Sequence, residues 1–232
     1  MPMNVCPSCG AWEVEKRVDA REDGWAVAVC SVCAHEQRFR RLPLFILTGP
    51  SGAGKTTVMH LLMHTFPECV VIESDVLWGV VPEEGPGDYR TYLNLWLRMV
   101  KTIAQAGKPV LLCGTALPDQ LEHLPERRYI GDIAYLALTS APEVLRARLE
   151  ARPAWRESGG EAFVSEMLTF NQWLRDNAAA TWPPIMLHDT STESAAETAG
   201  FVRRWVISGL SRSERTSPVS PDGNSRRKRA PR

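Results

Sequence analysis

Residues 44 to 57 read LFILTGPSGAGKTT. Four apolar residues, Leu44, Phe45, Ile46 and Leu47, run into Gly49-Pro50-Ser51-Gly52-Ala53-Gly54-Lys55-Thr56-Thr57. That is G-x-x-x-x-G-K-T, the Walker A pattern, set between a predicted strand and a helix predicted from Lys55 to Phe66. The glycines permit backbone angles that a side chain forbids, so successive N–H groups can turn inward and wrap a phosphate. The helix that follows points its positive dipole end at the same place. Lys55 adds a mobile positive charge for the β- and γ-phosphates, and the Thr56 hydroxyl is a ligand for Mg²⁺. The expected ATP-binding set is Gly49, Ser51, Gly52, Ala53, Gly54, Lys55, Thr56 and Thr57.

Around this loop the chain alternates strand and helix. Cys69-Val70-Val71-Ile72 reads as a short buried strand that ends in Glu73-Ser74-Asp75. In a parallel sheet, ligands gather at the carboxyl ends of the strands. Two carboxylates would then stand beside the phosphate loop, one for the metal and one for an acceptor hydroxyl. The plainer alternative is a polar strand end in which Asp75 caps a helix. Val110 to Gly114 is the third strand and lacks the terminal acid of a usual Walker B strand, leaving Glu73 as the magnesium candidate. Ile133–Leu138 and Ile185–Leu187 complete five strands. His188-Asp189-Thr190-Ser191 follows the last of them, where an adenine base would lie.

Helices are predicted over Tyr89–Ala106, with Leu93, Trp96, Leu97, Val100 and Ile103 recurring at three and four, and over Glu161–Ala180. Another starts at Ser140-Ala141-Pro142-Glu143, an S-x-x-E signal, and one more follows Thr192. The expectation is an α/β fold, a five-stranded parallel sheet with helices on both faces.

Basic side chains near this frame divide between phosphate binding and ordinary solvated faces. Arg148, Arg152 and Arg156 lie at four-residue steps, interrupted by Pro153, and guanidinium forks suit migrating phosphate charge. A basic helix end stabilised by its dipole is the competing explanation. Arg90, in the first turn of its helix, is a better substrate candidate than Arg98, and Arg127 and Arg128 are weaker candidates for phosphate contact.

Residues 1 to 41 carry Cys6-Pro7-Ser8-Cys9 and Cys30-Ser31-Val32-Cys33, C-x2-C-x20-C-x2-C. Four thiolates on two short loops make a closed tetrahedral Zn²⁺ site, and so short a segment needs such a staple. A redox role and an accidental pattern are the alternatives. Trp12–Glu15 and Trp25–Val29 alternate like small strands, with a turn at Glu22-Asp23-Gly24. Cys69 and Cys113 read as buried free thiols, and His35 as a surface residue.

The 232 residues carry 27 basic and 27 acidic side chains, so the whole chain has no electrostatic signature of nucleic-acid binding. From Ser211 on, seven Arg or Lys face only Glu214 and Asp222, and apolar residues nearly vanish. That composition predicts a disordered basic tail. Its run Arg226-Arg227-Lys228-Arg229 is a possible contact for nucleic acid that the overall balance does not favour. No apolar run nears the about 18 residues that would span a membrane. The N-terminus lacks a secretory pattern, and paired cysteines beside an ATP loop read as a cytoplasmic setting. The expected division is a zinc ribbon over 1–41, a phosphate-loop domain over 42–210 and a tail over 211–232.

The phosphate loop, Glu73-Ser74-Asp75 and Arg146-Ala147-Arg148-Leu149-Glu150-Ala151-Arg152-Pro153 together resemble P-loop small-molecule kinases of the nucleoside, nucleotide, shikimate and gluconate kinase type. The stretch from Cys113 to Arg156 is similar to bacterial proteins labelled as nucleoside kinases or AAA-type ATPases. The resemblance implies that Glu73 holds Mg²⁺ through water, matching the first acid of the shikimate kinase D-x-D with Glu for Asp. It implies that Asp75 orients the accepting hydroxyl, and that Arg148 and Arg152 are lid arginines over the phosphates. The catalytic set so implied is Lys55, Asp75, Arg148 and Arg152, with Asp75 and Arg90 on the substrate. Such kinases usually lack an N-terminal ribbon. The expected activity is ATP-dependent phosphorylation of a small metabolite, a nucleoside or nucleotide. Two alternatives are a nucleic-acid-associated ATPase, for the ribbon and tail, and an antibiotic-modifying phosphotransferase, for the aromatic set Trp78, Tyr89, Tyr92 and Trp96. The acceptor and the oligomeric state have no signature in the sequence.

Overall fold

The computed structural model describes residues 3–81, 88–153 and 160–215, with 213–215 described by backbone alone. At the N-terminus, β1 (Arg17–Ala20), β2 (Trp25–Val29) and β3 (Glu36–Arg40) form an antiparallel sheet in the order β1-β2-β3. Asp23 and Gly24 both take positive φ in the first turn, 56° and 70°, as a tight hairpin demands. The strand expected at Trp12–Glu15 is not formed; only a bridge from Val5 to Trp12 is present there. The backbone in that stretch is committed elsewhere, since the Val14 carbonyl accepts from the Tyr129 hydroxyl at 2.8 Å. β3 has the sequence EQRFR and buries fully only Phe39, so its charges hide it from any apolar pattern.

The main sheet contains β4 (Leu44–Thr48), β5 (Val70–Glu73), β6 (Val110–Cys113), β7 (Ile133–Thr139) and β8 (Ile185–Asp189). All pairs are parallel, in the order β5-β6-β4-β7-β8. Every residue of β4 is buried, because the sheet is covered on both faces. Successive side chains alternate between two cores. Leu44, Ile46, Val110, Leu112 and Tyr135 join α2 (Arg90–Ala104), α3 (Pro118–Leu121) and α5 (Glu161–Asn177) on one face. Phe45, Leu47, Leu111, Cys113, Leu136 and Leu138 join α1 (Lys55–Met63) and α6 (Ala195–Arg215) on the other. A smaller cluster of Leu145, Leu149 and Val164 packs α4 (Pro142–Glu150) on α5. The expected α/β architecture is the one observed.

Local departures have identifiable causes. α4 starts as expected, but Ser140 does not cap it: Ala141 is the N-cap, and no side chain closes the helix end. The Ser140 hydroxyl is engaged with Thr190 Oγ1 at 2.8 Å and the Arg148 guanidinium at 2.9 Å. α6 continues to Arg215, past the expected boundary at Leu210, and the remainder of the tail lies outside the described residues. Cys69 and Cys113 are buried as expected; burial pushes the Cys69 thiol up to about 12 and the Cys113 thiol higher still. His35 is exposed. Among the described residues no helix is long and apolar enough to cross a membrane.

The small sheet is seated against the larger one. Met3, Ala26, Ala28 and Phe39 close over Tyr129, which follows the turn at Pro125. Arg128 pairs with Glu15 at 2.6 Å, and Gln105 at the end of α2 bonds the backbone of Arg40 on both sides, at 2.8 and 3.0 Å.

Candidate functional site: the phosphate loop and the four-cysteine cluster

The loop 49–56 leaves the carboxyl end of the central strand β4 and opens α1, which sets its amides at the helix N-terminus. Gly49 has φ 132°, and a Cβ there would stand 2.3 Å from the Leu138 carbonyl oxygen of β7. No side chain fits. Gly54 caps α1 at φ 101°. The Lys55 ammonium folds back on the loop and donates to Gly49 O at 2.6 Å and Pro50 O at 3.1 Å. Loss of water lowers its pKa to about 8; Asp75 and Glu73 pull it back up, and Arg152 pushes it down. Asp75, Glu73 and Arg152 are therefore all within electrostatic reach of Lys55.

Thr56 Oγ1 donates to Glu73 Oε1 at 3.1 Å. The expected pair of magnesium ligands is thus brought together at the first turn of α1, a hydroxyl and a carboxylate with the donor chemistry that Mg²⁺ takes. The absent acid on β6 has a steric reason. A Cβ at Gly114 would lie 1.7 Å from Ser74 Oγ, so no side chain fits there while Ser74 keeps its place. Glu73 comes instead from the neighbouring strand, in register with Cys113.

Asp75 is exposed, within a single 3-10 turn from Ser74 to Leu77, where it accepts from Ser74 Oγ at 3.1 Å. Tyr92 of α2 anchors the turn by donating to Ser74 O at 2.6 Å. Arg90 opens α2 and is paired with Asp88, whose carboxylate accepts from its backbone N–H at 3.0 Å and its guanidinium at 3.4 Å. Arg148 is turned to the end of β8, donating to Ser140 Oγ at 2.9 Å, Thr190 Oγ1 at 3.0 Å and Thr190 O at 2.7 Å. Thr190 Oγ1 in turn lies 3.3 Å from the Ala53 carbonyl of the phosphate loop. Asn171 closes the network, donating to Ser140 O at 2.9 Å and accepting from Ser140 N at 3.2 Å. Sequence reasoning missed Ser140, Asn171 and Thr190 as supports of the loop. The available signal was a hydroxyl residue directly after each of two apolar strands. Within β8, the His188 ring stacks on Phe201 at 3.9 Å and bonds Glu193 at 2.8 Å. Arg156 lies outside the described residues.

The second cluster is remote in sequence. The sulfurs of Cys6, Cys9, Cys30 and Cys33 all lie within 4.8 Å of one another, with Cys6–Cys33 and Cys9–Cys30 both at 3.7 Å. A tetrahedral Zn²⁺ with bonds of about 2.3 Å separates its sulfurs by about 3.8 Å, so the donor set fits that ion. Each loop turns the same way. Gly10 (φ 75°) donates to Cys6 O at 2.9 Å, and Ala34 (φ 58°) donates to Cys30 O at 3.0 Å. The backbone N–H of Cys9 pulls the Cys6 thiol down, while against the pull of the Ala11 backbone the sulfurs of Cys33, Cys6 and Cys30 push the Cys9 thiol up.

Comparison with known proteins agrees with this geometry. The family model described as AAA domain matches residues 44–176, more than half of the chain. A sugar kinase from Janibacter sp. HTCC2649 superposes with a TM-score of 0.51 at 15% identity, over 74% of this chain and 96% of its own. The tunicamycin resistance protein of Deinococcus radiodurans gives 0.50 at 20%, over 72% and 96%. Shikimate kinase from Acinetobacter baumannii gives 0.49 at 21%, over 72% and 94%. At such identities the likeness is one of fold. No curated protein matches the chain. The chain belongs to the AAA domain family, with the fold of the P-loop kinases.

Proposed function

We propose that the protein is an ATP-dependent phosphotransferase acting on a small hydroxylated metabolite, a nucleoside or nucleotide first among them. The observation that carries this reading is the meeting of Thr56 and Glu73 at 3.1 Å beside a phosphate loop whose Lys55 ammonium bonds only loop carbonyls. Phosphoryl transfer asks little covalent chemistry of a protein; it asks for positioning and for charge where charge develops. The loop amides between Gly49 and Thr57 would hold the terminal phosphates of ATP. Lys55 exchanges its carbonyl partners for phosphate oxygens, which restores the full charge that desolvation erodes. Thr56 and Glu73 would hold Mg²⁺, which would neutralise charge on the phosphates. Asp75, open to solvent, aligns the acceptor hydroxyl and takes its proton. Arg152 adds positive charge over the transferred group. Arg148 reaches the phosphates only by leaving Ser140 and Thr190; in the observed network it braces the loop through Thr190. Arg90 is the substrate-side cation, tempered by Asp88.

Zinc on Cys6, Cys9, Cys30 and Cys33 completes the ribbon of residues 1–41, the kinase unit occupies 42–210, and the chain works in the cytoplasm. The test is a screen of nucleosides, nucleotides and sugar acids for acceptor-dependent ADP release. Hydrolysis at the same rate with and without every acceptor overturns the reading.

One observation favours a second reading, a nucleic-acid-associated ATPase. On β3, Arg38 and Arg40 lie over the Trp25 ring at 3.9 and 4.0 Å, a cationic and aromatic surface suited to single strands. RNA and DNA titrated at two salt concentrations decide it, because phosphate contacts give a steep salt slope.

A further inference from the structure

The segment that follows Asp75 exposes apolar side chains at alternate positions. Val76 is 65% exposed, Trp78 59% and Val80 71%. Isolated apolar residues on a surface are ordinary; three in succession beside an exposed carboxylate are a patch. The Trp78 ring is also held in place. Its centroid stands 5.6 Å from Tyr89 and 5.9 Å from Tyr92, the latter edge-on. Tyr92 is in turn bonded to the carbonyl of Ser74, the residue before Asp75. A rigid flat ring with more than half its surface open therefore stands one turn from the group that faces the acceptor hydroxyl.

Among the described residues, the charges on the acceptor side are Asp75, Asp88 and Arg90, while Lys55, which Asp75 also faces, belongs to the phosphate loop. Asp88 is matched to Arg90, whose backbone N–H and guanidinium hold the Asp88 carboxyl below its usual range, so it stays ionised. One cation faces two anions. A carboxylate or phosphate on the acceptor would meet Asp75 without a cation in surplus, while an uncharged ring would meet an open indole face.

Resting on the phosphotransfer reading above, we propose that the acceptor is an uncharged molecule bearing a flat aromatic ring, which stacks on Trp78 and presents a hydroxyl to Asp75. Acidic and phosphorylated acceptors are selected against. In the step itself the acceptor oxygen forms the new bond to the γ-phosphorus, and the bond from that phosphorus to the β–γ bridging oxygen breaks. ADP leaves, and the hydroxyl proton passes to Asp75 and then to solvent.

The experiment measures ADP release by the full chain with Mg-ATP and matched acceptors. Adenosine, thymidine and 1-phenyl-1,3-propanediol are neutral and aromatic; ribose is neutral without a ring face; shikimate, gluconate and AMP are anionic. Turnover confined to the first three is expected, and the nucleosides against the diol separate a nucleobase from a simple aryl group. Trp78→Ala should raise KM for the aromatic acceptor by roughly 10- to 100-fold, the loss of one stacking face, and leave KM for ATP unchanged. Trp78→Phe should restore most of the loss, which a folding defect would not allow. Asp88→Asn should narrow the preference for adenosine over AMP. Turnover on ribose, shikimate, gluconate or AMP that ignores Trp78→Ala overturns this inference and leaves phosphotransfer standing. Hydrolysis indifferent to the whole panel overturns both.

Discussion

The two ends of α2 handle charge in opposite ways. At its carboxyl end, Lys101 and Glu126 are wholly buried and 2.5 Å apart. Arg98 bonds the same carboxylate at 3.0 Å, and Asn4, two residues before Cys6, both accepts from Lys101 at 2.5 Å and donates to Glu126 at 3.3 Å. The Lys101 ammonium also stands 4.3 Å from the centre of the Tyr129 ring. Lys101 and Glu126 each find their partners within the protein. Buried ions are tolerated only on that condition, and the result is a fixed joint between the ribbon and the main sheet. At the amino end, Tyr92 touches the turn that holds Asp75, which is exposed, and Lys55 bonds loop carbonyls in place of a carboxylate. A buried ion met by an opposite charge makes a joint; Lys55, met only by carbonyls, makes a site that gains by binding an anion.

That contrast can be broken at either end. The largest effect is expected from the ribbon. Stripping zinc with a chelator should remove hydrogen-exchange protection from β1, β2 and β3 while β4 and β7 keep theirs, because four unliganded thiols cannot hold two short loops. Equal loss in both sheets would mean that the joint, and not the metal, sets the ribbon's stability. Lys101→Met should cost about 1–3 kcal/mol in urea denaturation, since Glu126 keeps Arg98 and Asn4 but loses its buried cation. Adding Glu126→Leu should recover part of that loss.

At the other end, Lys55→Ala is expected to lower turnover by at least about 10²-fold, with little change in melting temperature. Near-normal turnover would remove the phosphate loop from the chemistry. Asp75→Asn should abolish transfer while calorimetry still detects Mg-ATP; weaker nucleotide binding would mean that Asp75 serves the metal and not the acceptor.

The acidity of Lys55 sharpens the comparison further. Its folded-state pKa of about 8 lies below the unfolded value of 10.5. Between those two values the folded, ligand-free protein binds fewer protons than the unfolded chain, so its stability should rise with pH across that window. Phosphate binding needs the ammonium, so kcat/KM for ATP should fall as pH rises through about 8. Opposite slopes in the two measurements are the expected signature, and Lys55→Arg should abolish both. The smallest effect concerns Ala34, which takes φ 58° after Cys33 where Gly10 follows Cys9. Ala34→Gly should relieve a left-handed conformation and raise stability by about 1 kcal/mol or less, read from the melting curve of zinc-loaded protein.

Much of the site was legible in the sequence because its chemistry is local or repeats along the chain. The loop from Gly49 to Thr56 is one continuous turn, each C-x2-C folds on its own backbone, and Glu73-Ser74-Asp75 follows an apolar run that can only be a strand. Arg148 was legible as a basic residue of its helix, but its commitment to Ser140 and Thr190 beside the phosphate loop was not. β3 was hidden because four of its five residues are polar and a neighbouring strand, not apolar patterning, holds it. The empty place at Gly114 looked like a missing acid until Ser74 was seen to fill the space.

Residue types and short spacings were enough to declare a phosphate loop, a parallel sheet and two paired-thiol turns, since each rests on backbone geometry within a few residues or on alternation along a strand. Packing alone decided which charges meet. Lys101 finds Glu126 across 25 positions, Arg148 finds Thr190 across 42, and Asn4 finds Glu126 across 122. Such pairings depend on the layered sheet first closing long loops, and no short-range preference encodes that closure.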